Sequence, residues 1–197
     1  MKLGIYLIAM FLVILISFYV FHVKVRRDYR RLKDLSPAAT VWEFVVFGLH
    51  ANLAYTFLDA PWPSIPPIPT NFIQFFFGIA VIVFGLAVTL YSMSSLSFVK
   101  TIGQQQTTAL HSDGLYRYSR NPQLVAYGLI LVGCVVLWPS LYAVGWLAVY
   151  GLIADMMAKT EEEHLTRVFG DEYTQYCKDV PRFLKMGKNA KHSKRNH

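Results

Sequence analysis

The chain has 197 residues, of which 54% are hydrophobic and only 16% charged, and its formal net charge is +7. A soluble domain carries about 25% charged residues, so the composition excludes an ordinary water-facing globule and makes lipid part of the solvent; the length fits one domain rather than a large soluble enzyme on a separate anchor. The basic residues lie in blocks beside apolar segments, which suits an anionic membrane surface and speaks against nucleic acid, whose readers spread them along a binding face.

A membrane span needs roughly 20 apolar residues. Leu3–Phe21 is the first candidate. Its apolar run exceeds that of a signal peptide and no small-residue cleavage site follows, so it reads as a retained helix. Val41–Leu58 is the second, interrupted by Glu43, His50 and Asn52. Polar groups inside a span are functional candidates, and a packed interhelical hydrogen bond explains His50 and Asn52 equally well. Phe72–Met93 is the third, with Gly78, Gly85 and Ser92 every seven residues forming a seam for close helix packing. Gln123–Trp138 and Leu141–Met157 are the fourth and fifth, separated by Pro139 and Ser140. Both are short, about 25 Å, and predict a tight antiparallel hairpin. Glu43 and Asp155, near span ends, read as hydrated carboxylates. The expected fold is therefore an all-α integral membrane bundle of about five spans, residues 1–184 forming one domain with a C-terminal helix on its polar side. Residues 185–197 form a basic, disordered tail.

The charges agree with five crossings. Six basic residues follow the first span, three lie between the third and fourth, and nine follow the fifth, so eighteen of nineteen fall on one side. The opposite loop, Ala60–Asn71, has none and holds five prolines. The positive-inside rule then places the N-terminus outside and the C-terminus in the cytosol.

Two polar motifs flank the hairpin. Gly114-Leu115-Tyr116-Arg117-Tyr118-Ser119-Arg120-Asn121-Pro122 enters the fourth span, where Asn121 can cap and Pro122 takes the first helical position. The exposed amides there favour an anion. Lys159-Thr160-Glu161-Glu162-Glu163-His164-Leu165 leaves the fifth span. Its adjacent carboxylates point about 100° apart, so at most two face one ligand; Glu163 and Arg167 also have the spacing of an ordinary ion pair. Taken singly, each motif is a capped helix end or a solvated face. Together they set donors near Asn121 beside acceptors near Glu162 and Glu163, which suits a zwitterionic amino acid moiety, and a groove between the spans suits a greasy second substrate. No Cys-x-x-Cys pair or His-x-x-x-His motif suggests a metal.

These residues, followed by Phe169-Gly170-Asp171-Glu172-Tyr173 and Val180-Pro181-Arg182-Phe183, resemble the isoprenylcysteine carboxyl methyltransferase and phospholipid methyltransferase family over roughly residues 100–184. The resemblance implies an S-adenosylmethionine site facing the cytosol. Leu110, His111, Tyr116, Arg120 and Asn121 would line it, and Glu162 and Glu163 would be its paired carboxylates, with the choice among Glu161, Glu162 and Glu163 open. Lys159 sits where family members carry an Arg near a lipophilic acceptor, which would be a prenylcysteine carboxylate, a phospholipid amine or a thiol. The family often reads Arg-His-Pro-x-Tyr where this chain has Arg120-Asn121-Pro122-Gln123-Leu124. Catalytic residues are not assigned, and no base is evident, His111 reading as a loop residue. A sterol-reductase-like oxidoreductase using a nicotinamide nucleotide and a non-enzymatic transporter or scaffold are the competing readings.

Overall fold

The computed structural model describes residues 2–32, 35–58, 60–95, 110 and 112–184. The described secondary structure is entirely helical. Helix α1 (Lys2–Tyr19) runs through a π-helical turn (Val20–Val25) into α2 (Arg26–Arg31). Helix α3 (Pro37–Leu53) opens on Ser36, whose hydroxyl accepts from the Ala39 amide at 3.2 Å, with Pro37 at the first helical position. Helix α4 (Phe72–Ser95), α5 (Pro122–Leu137), α6 (Leu141–Phe169) and a short α7 (Asp171–Asp179) follow.

Three of these are long and apolar enough to cross a membrane: Lys2–Arg31, Phe72–Ser92 and Leu141–Phe169. Helix α5 is a shorter apolar helix of 16 residues, and α3 has 17. The expected fifth span, Leu141–Met157, is the first part of a longer helix. Helix α6 has 29 residues without a break, about 43 Å against a hydrocarbon core of about 30 Å. Its apolar part is Leu141–Met157, and the polar turns from Lys159 onward continue the same helix.

The hairpin is also looser than expected. Helix α5 packs most extensively on α4, through the small-residue seam. A Cβ on Gly78 would lie 2.6 Å from Leu137 Cδ2, one on Gly85 2.9 Å from the Ala126 carbonyl, and one on Gly133 2.8 Å from the Gly78 carbonyl. Only glycine permits that approach.

Two apolar clusters bind the rest. Val20, Phe21, Val25, Val46, Val149 and Ile153 join the π-turn, α3 and α6. Leu124, Leu131, Trp146, Tyr150 and Ala158 join α5 to α6. Helix α1 and its continuation run parallel to α6: the Tyr6 hydroxyl donates to the Tyr142 carbonyl at one end, and Arg26 and Arg30 meet Glu163 at the other. His50 is packed between helices, whereas Asn52 is exposed and bonds within its own helix. His50 is fully buried, stacks on Trp146 and has Nε2 3.0 Å from the Trp146 carbonyl; the Asn52 amide donates to the Gly48 carbonyl. The molecule thus has a charged end, where α2, the starts of α3 and α5 and the end of α6 meet, and an apolar end closed by the loop 60–71.

Candidate functional site

The charged end is organised by α6. Asp155, Lys159 and Glu162 follow each other at four and three residues, so they share one helical face. Arg182 reaches them from the segment after α7. Its Nη1 donates to Asp155 Oδ1 at 2.9 Å, its Nε to Glu162 Oε1 at 2.8 Å and its Nη2 to Glu162 Oε2 at 2.6 Å. This forked grip on Glu162 is geometry that only a guanidinium supplies, and it holds Arg182 above its ordinary pKa. Asp155 is therefore an ion-pair partner and not a free hydrated carboxylate. Lys159 pairs with it at 2.7 Å.

Arg182 also ties this face to the start of α5. Its carbonyl accepts from Asn121 Nδ2 at 3.0 Å, and the Arg120 amide donates to the Pro181 carbonyl at 2.9 Å. Asn121 occupies the cap position of α5, but its side chain does not cap the helix. The expected cap is corrected: the amide is committed to the returning chain. Arg120 Nη1 lies 2.9 Å from Glu162 Oε1 and 2.8 Å from Cys177 Sγ. Asn121 and Glu162, 41 positions apart in sequence, thus share the contacts of one residue.

The three adjacent glutamates diverge as their helical spacing requires. Glu162 faces Arg120 and Arg182. Glu163 turns to α2, with Arg26 Nε and Arg30 Nη2 each 2.8 Å away. The hydrogen bond from Arg30, with Arg26 adding to it, holds Glu163 below the usual carboxylate range. Arg167 does not pair with the Glu163 carboxylate; its Nε donates to the Glu163 carbonyl at 3.2 Å. Glu161 turns inward, within electrostatic reach of Tyr116 and Tyr176, and burial, reinforced by the Glu162 carboxylate, pushes it up to about 7. The Tyr176 hydroxyl donates to the Tyr116 carbonyl at 2.7 Å, and burial pushes Tyr176 up to about 12.

Of the residues singled out from sequence, Arg120, Asn121, Glu162 and Lys159 therefore meet around Arg182. Tyr116 stands beside Glu161, Leu110 is half-buried, and Glu163 belongs to the α2 contact. His111 lies outside the described residues. Arg182, Asp155 and Tyr176 carried no role in the sequence reading. The available signal was the seven-residue spacing of Asp155 and Glu162, which calls for a cation between them. One feature invites a ligand. Arg120 Nε is buried without a hydrogen-bond partner, and buried donors are seldom left so. An anionic group beside it would fill that need, while the Glu161 carboxylate offers a place for a cation. The residues present therefore fit the amino acid end of S-adenosylmethionine.

Comparison with known proteins bears on what this end does. Curated relatives include the protein-S-isoprenylcysteine O-methyltransferase of Homo sapiens, 28% identical over 157 residues, and those of Mus musculus and Rattus norvegicus, each 27% identical over 157 residues. The matches cover 76% of this chain and 53% of those proteins, so the chain spans about half the length of the curated relatives it matches. No solved structure matches. The pattern of the phospholipid methyltransferase family matches residues 73–172, from the start of α4 into α7. With half of its length inside that pattern, and with the whole Arg120–Glu162 contact within the matched span, the chain belongs to the phospholipid methyltransferase family.

Proposed function

We propose that the charged end binds S-adenosylmethionine and that the protein transfers the methyl group to an acceptor carrying a lipophilic tail, at the cytosolic face of a membrane. The observation that carries this reading is the meeting of Arg120, Asn121, Glu162 and Arg182 beside a buried, unpartnered Arg120 Nε, in a chain of a methyltransferase family. The cofactor supplies a methyl group already activated by its sulfonium. The protein's task is to hold donor and acceptor in line and to keep water out.

In this reading Arg120 Nε and the start of α5 receive the methionine carboxylate. Glu161 receives the ammonium, with Tyr116 and Leu110 along the remainder. Glu162, whose two oxygens are already engaged by guanidinium groups, keeps Arg120 and Arg182 in place. Glu163 secures α2 against the same helix. A prenylcysteine carboxylate or a thiolate accepts the methyl group without a base; a phospholipid amine must first lose a proton. The crowding of cations at this end supports a cytosolic orientation under the positive-inside rule.

Titration calorimetry of the purified full chain with S-adenosylhomocysteine tests the reading. Binding by the wild type, weakened about tenfold or more in Arg120→Ala and Asn121→Ala, is the expected result. Absence of binding by a folded wild type overturns it.

A further inference from the structure

A cavity of 480 Å³ lies at the apolar end, where the end of α3, the loop 60–71, the end of α5 and the start of α6 converge. That volume falls within the roughly 300–1,000 Å³ of ordinary ligand pockets. Its wall includes Phe57, Trp62, Ile65, Cys134, Trp138 and Trp146, and no side chain lining it carries a charge. The three indole N–H groups and the Asn52 amide of the wall are spoken for. Trp62 Nε1 donates to Asn52 Oδ1 at 2.8 Å, Trp138 Nε1 to the Pro67 carbonyl at 2.9 Å and Trp146 Nε1 to the His50 carbonyl at 2.7 Å. The Asn52 amide is bound to Gly48. A ligand that brought several polar groups inside would find the Tyr55 hydroxyl and the weakly bonding Cys134 thiol, and each group left unpaired costs about 1–3 kcal/mol. A hydrocarbon suffers no such cost.

The rim indicates where that hydrocarbon comes from. Trp62 and Ile65 are 69% and 79% exposed, and Ile68, on the same loop, is 65% exposed. Exposed apolar residues clustered on one loop mark contact with an apolar medium, and Trp belongs at the membrane interface. Sixteen residues of α6 separate Trp146 from Glu162, about 24 Å along the helix, so the cavity is separate from the charged end. We propose that it holds one acyl chain of a phospholipid drawn from the leaflet at the apolar end. The polar head of that lipid stays at the rim, and the chain stacks against the faces of Trp62, Trp138 and Trp146.

Cys134 on the wall reports occupancy, and Cys177 at the far end is the internal control. The full chain is held in a rigid steroid-based detergent and treated with N-ethylmaleimide, and both cysteines are followed by peptide mass spectrometry. Dioleoylphosphatidylcholine is expected to slow Cys134 modification at least threefold and saturably, leaving Cys177 unchanged, while glycerophosphocholine, which has no chains, protects neither. Equal rates with and without the lipid, or equal protection by the chainless headgroup, overturn the proposal. Ala143→Leu, placed on the cavity wall, is expected to remove the lipid dependence if its helical circular dichroism matches wild type. Lipid protection that persists in the folded variant also overturns the proposal, and if the variant does not fold the wild-type comparison decides alone.

Discussion

Glu161 and Arg182 divide the work of the charged end in opposite ways. Glu161 is inward-facing and titrates near pH 7, so it is neutral below that pH and ionised above it. An ammonium gains a counter-charge only from the ionised form. The affinity for S-adenosylhomocysteine is therefore expected to rise as pH climbs from 6 to 8, and Glu161→Gln to flatten that dependence and weaken binding; calorimetry across the range reads both. A lost charge-assisted hydrogen bond costs about 1.5–3 kcal/mol, or tenfold to a hundredfold. Arg182, by contrast, ties two carboxylates on α6 to the start of α5. Replacing it by Gln leaves Asp155 and Glu162 short of a donor, and the expected loss is about 1–3 kcal/mol, seen as a lower melting temperature in detergent. Lys recovers part of the charge and none of the fork. The sequence reading set Asn121 near Glu162 across a hairpin, and in the structure both contact Arg182. It named Arg182 in the Val180-Pro181-Arg182-Phe183 motif but gave it no role, because its position depends on a reversal at Gly170, where a φ of 53° ends α6 and sends the chain back. It read Asp155 as hydrated, which its 37% side-chain exposure supports, but could not foresee the ion pair that a distant segment brings to it.

The elements were legible where periodicity is strong, and the helical reading of the polar run after the fifth span also holds. Apolar periodicity stops at Met157, but the Lys-Thr-Glu-Glu-Glu run is made largely of good helix formers, so α6 continues through it to Phe169. Apolar patterning marks where lipid ends, and a helix need not end there. The seven-residue recurrence of Gly78, Gly85 and Ser92 on α4 did identify a packing face, although its partner is α5. Gly133→Val would press on the Gly78 carbonyl and on Ile82. Overpacking costs about 1–3 kcal/mol, so a lower melting temperature and loss of monodisperse protein on size exclusion are expected. Gly151→Ala, where an added Cβ meets nothing within 4 Å, is the matched control and should be neutral or slightly stabilising.

At the scale of the molecule, the separation of a charged end from an apolar one makes a directional statement. Single cysteines introduced at the exposed Ser64 of the proline-rich loop and at the exposed Lys178 of α7 should be labelled by an impermeant maleimide from opposite sides of sealed cells. Labelling of both from the outside would contradict the proposed orientation. The knot around Arg182 has a further consequence. Among the described residues the carboxylates that pair with Arg120, Lys159 and Arg182 are Asp155 and Glu162, which leaves one positive charge in excess, while Glu161, when ionised above about pH 7, adds a negative charge one residue along α6 and about 100° around it. The site is thus a small electrical dipole built across adjacent residues. Under the proposed reading such a dipole would align a zwitterion, and stripping the ligand's carboxylate should cost more affinity in dilute buffer than in concentrated salt.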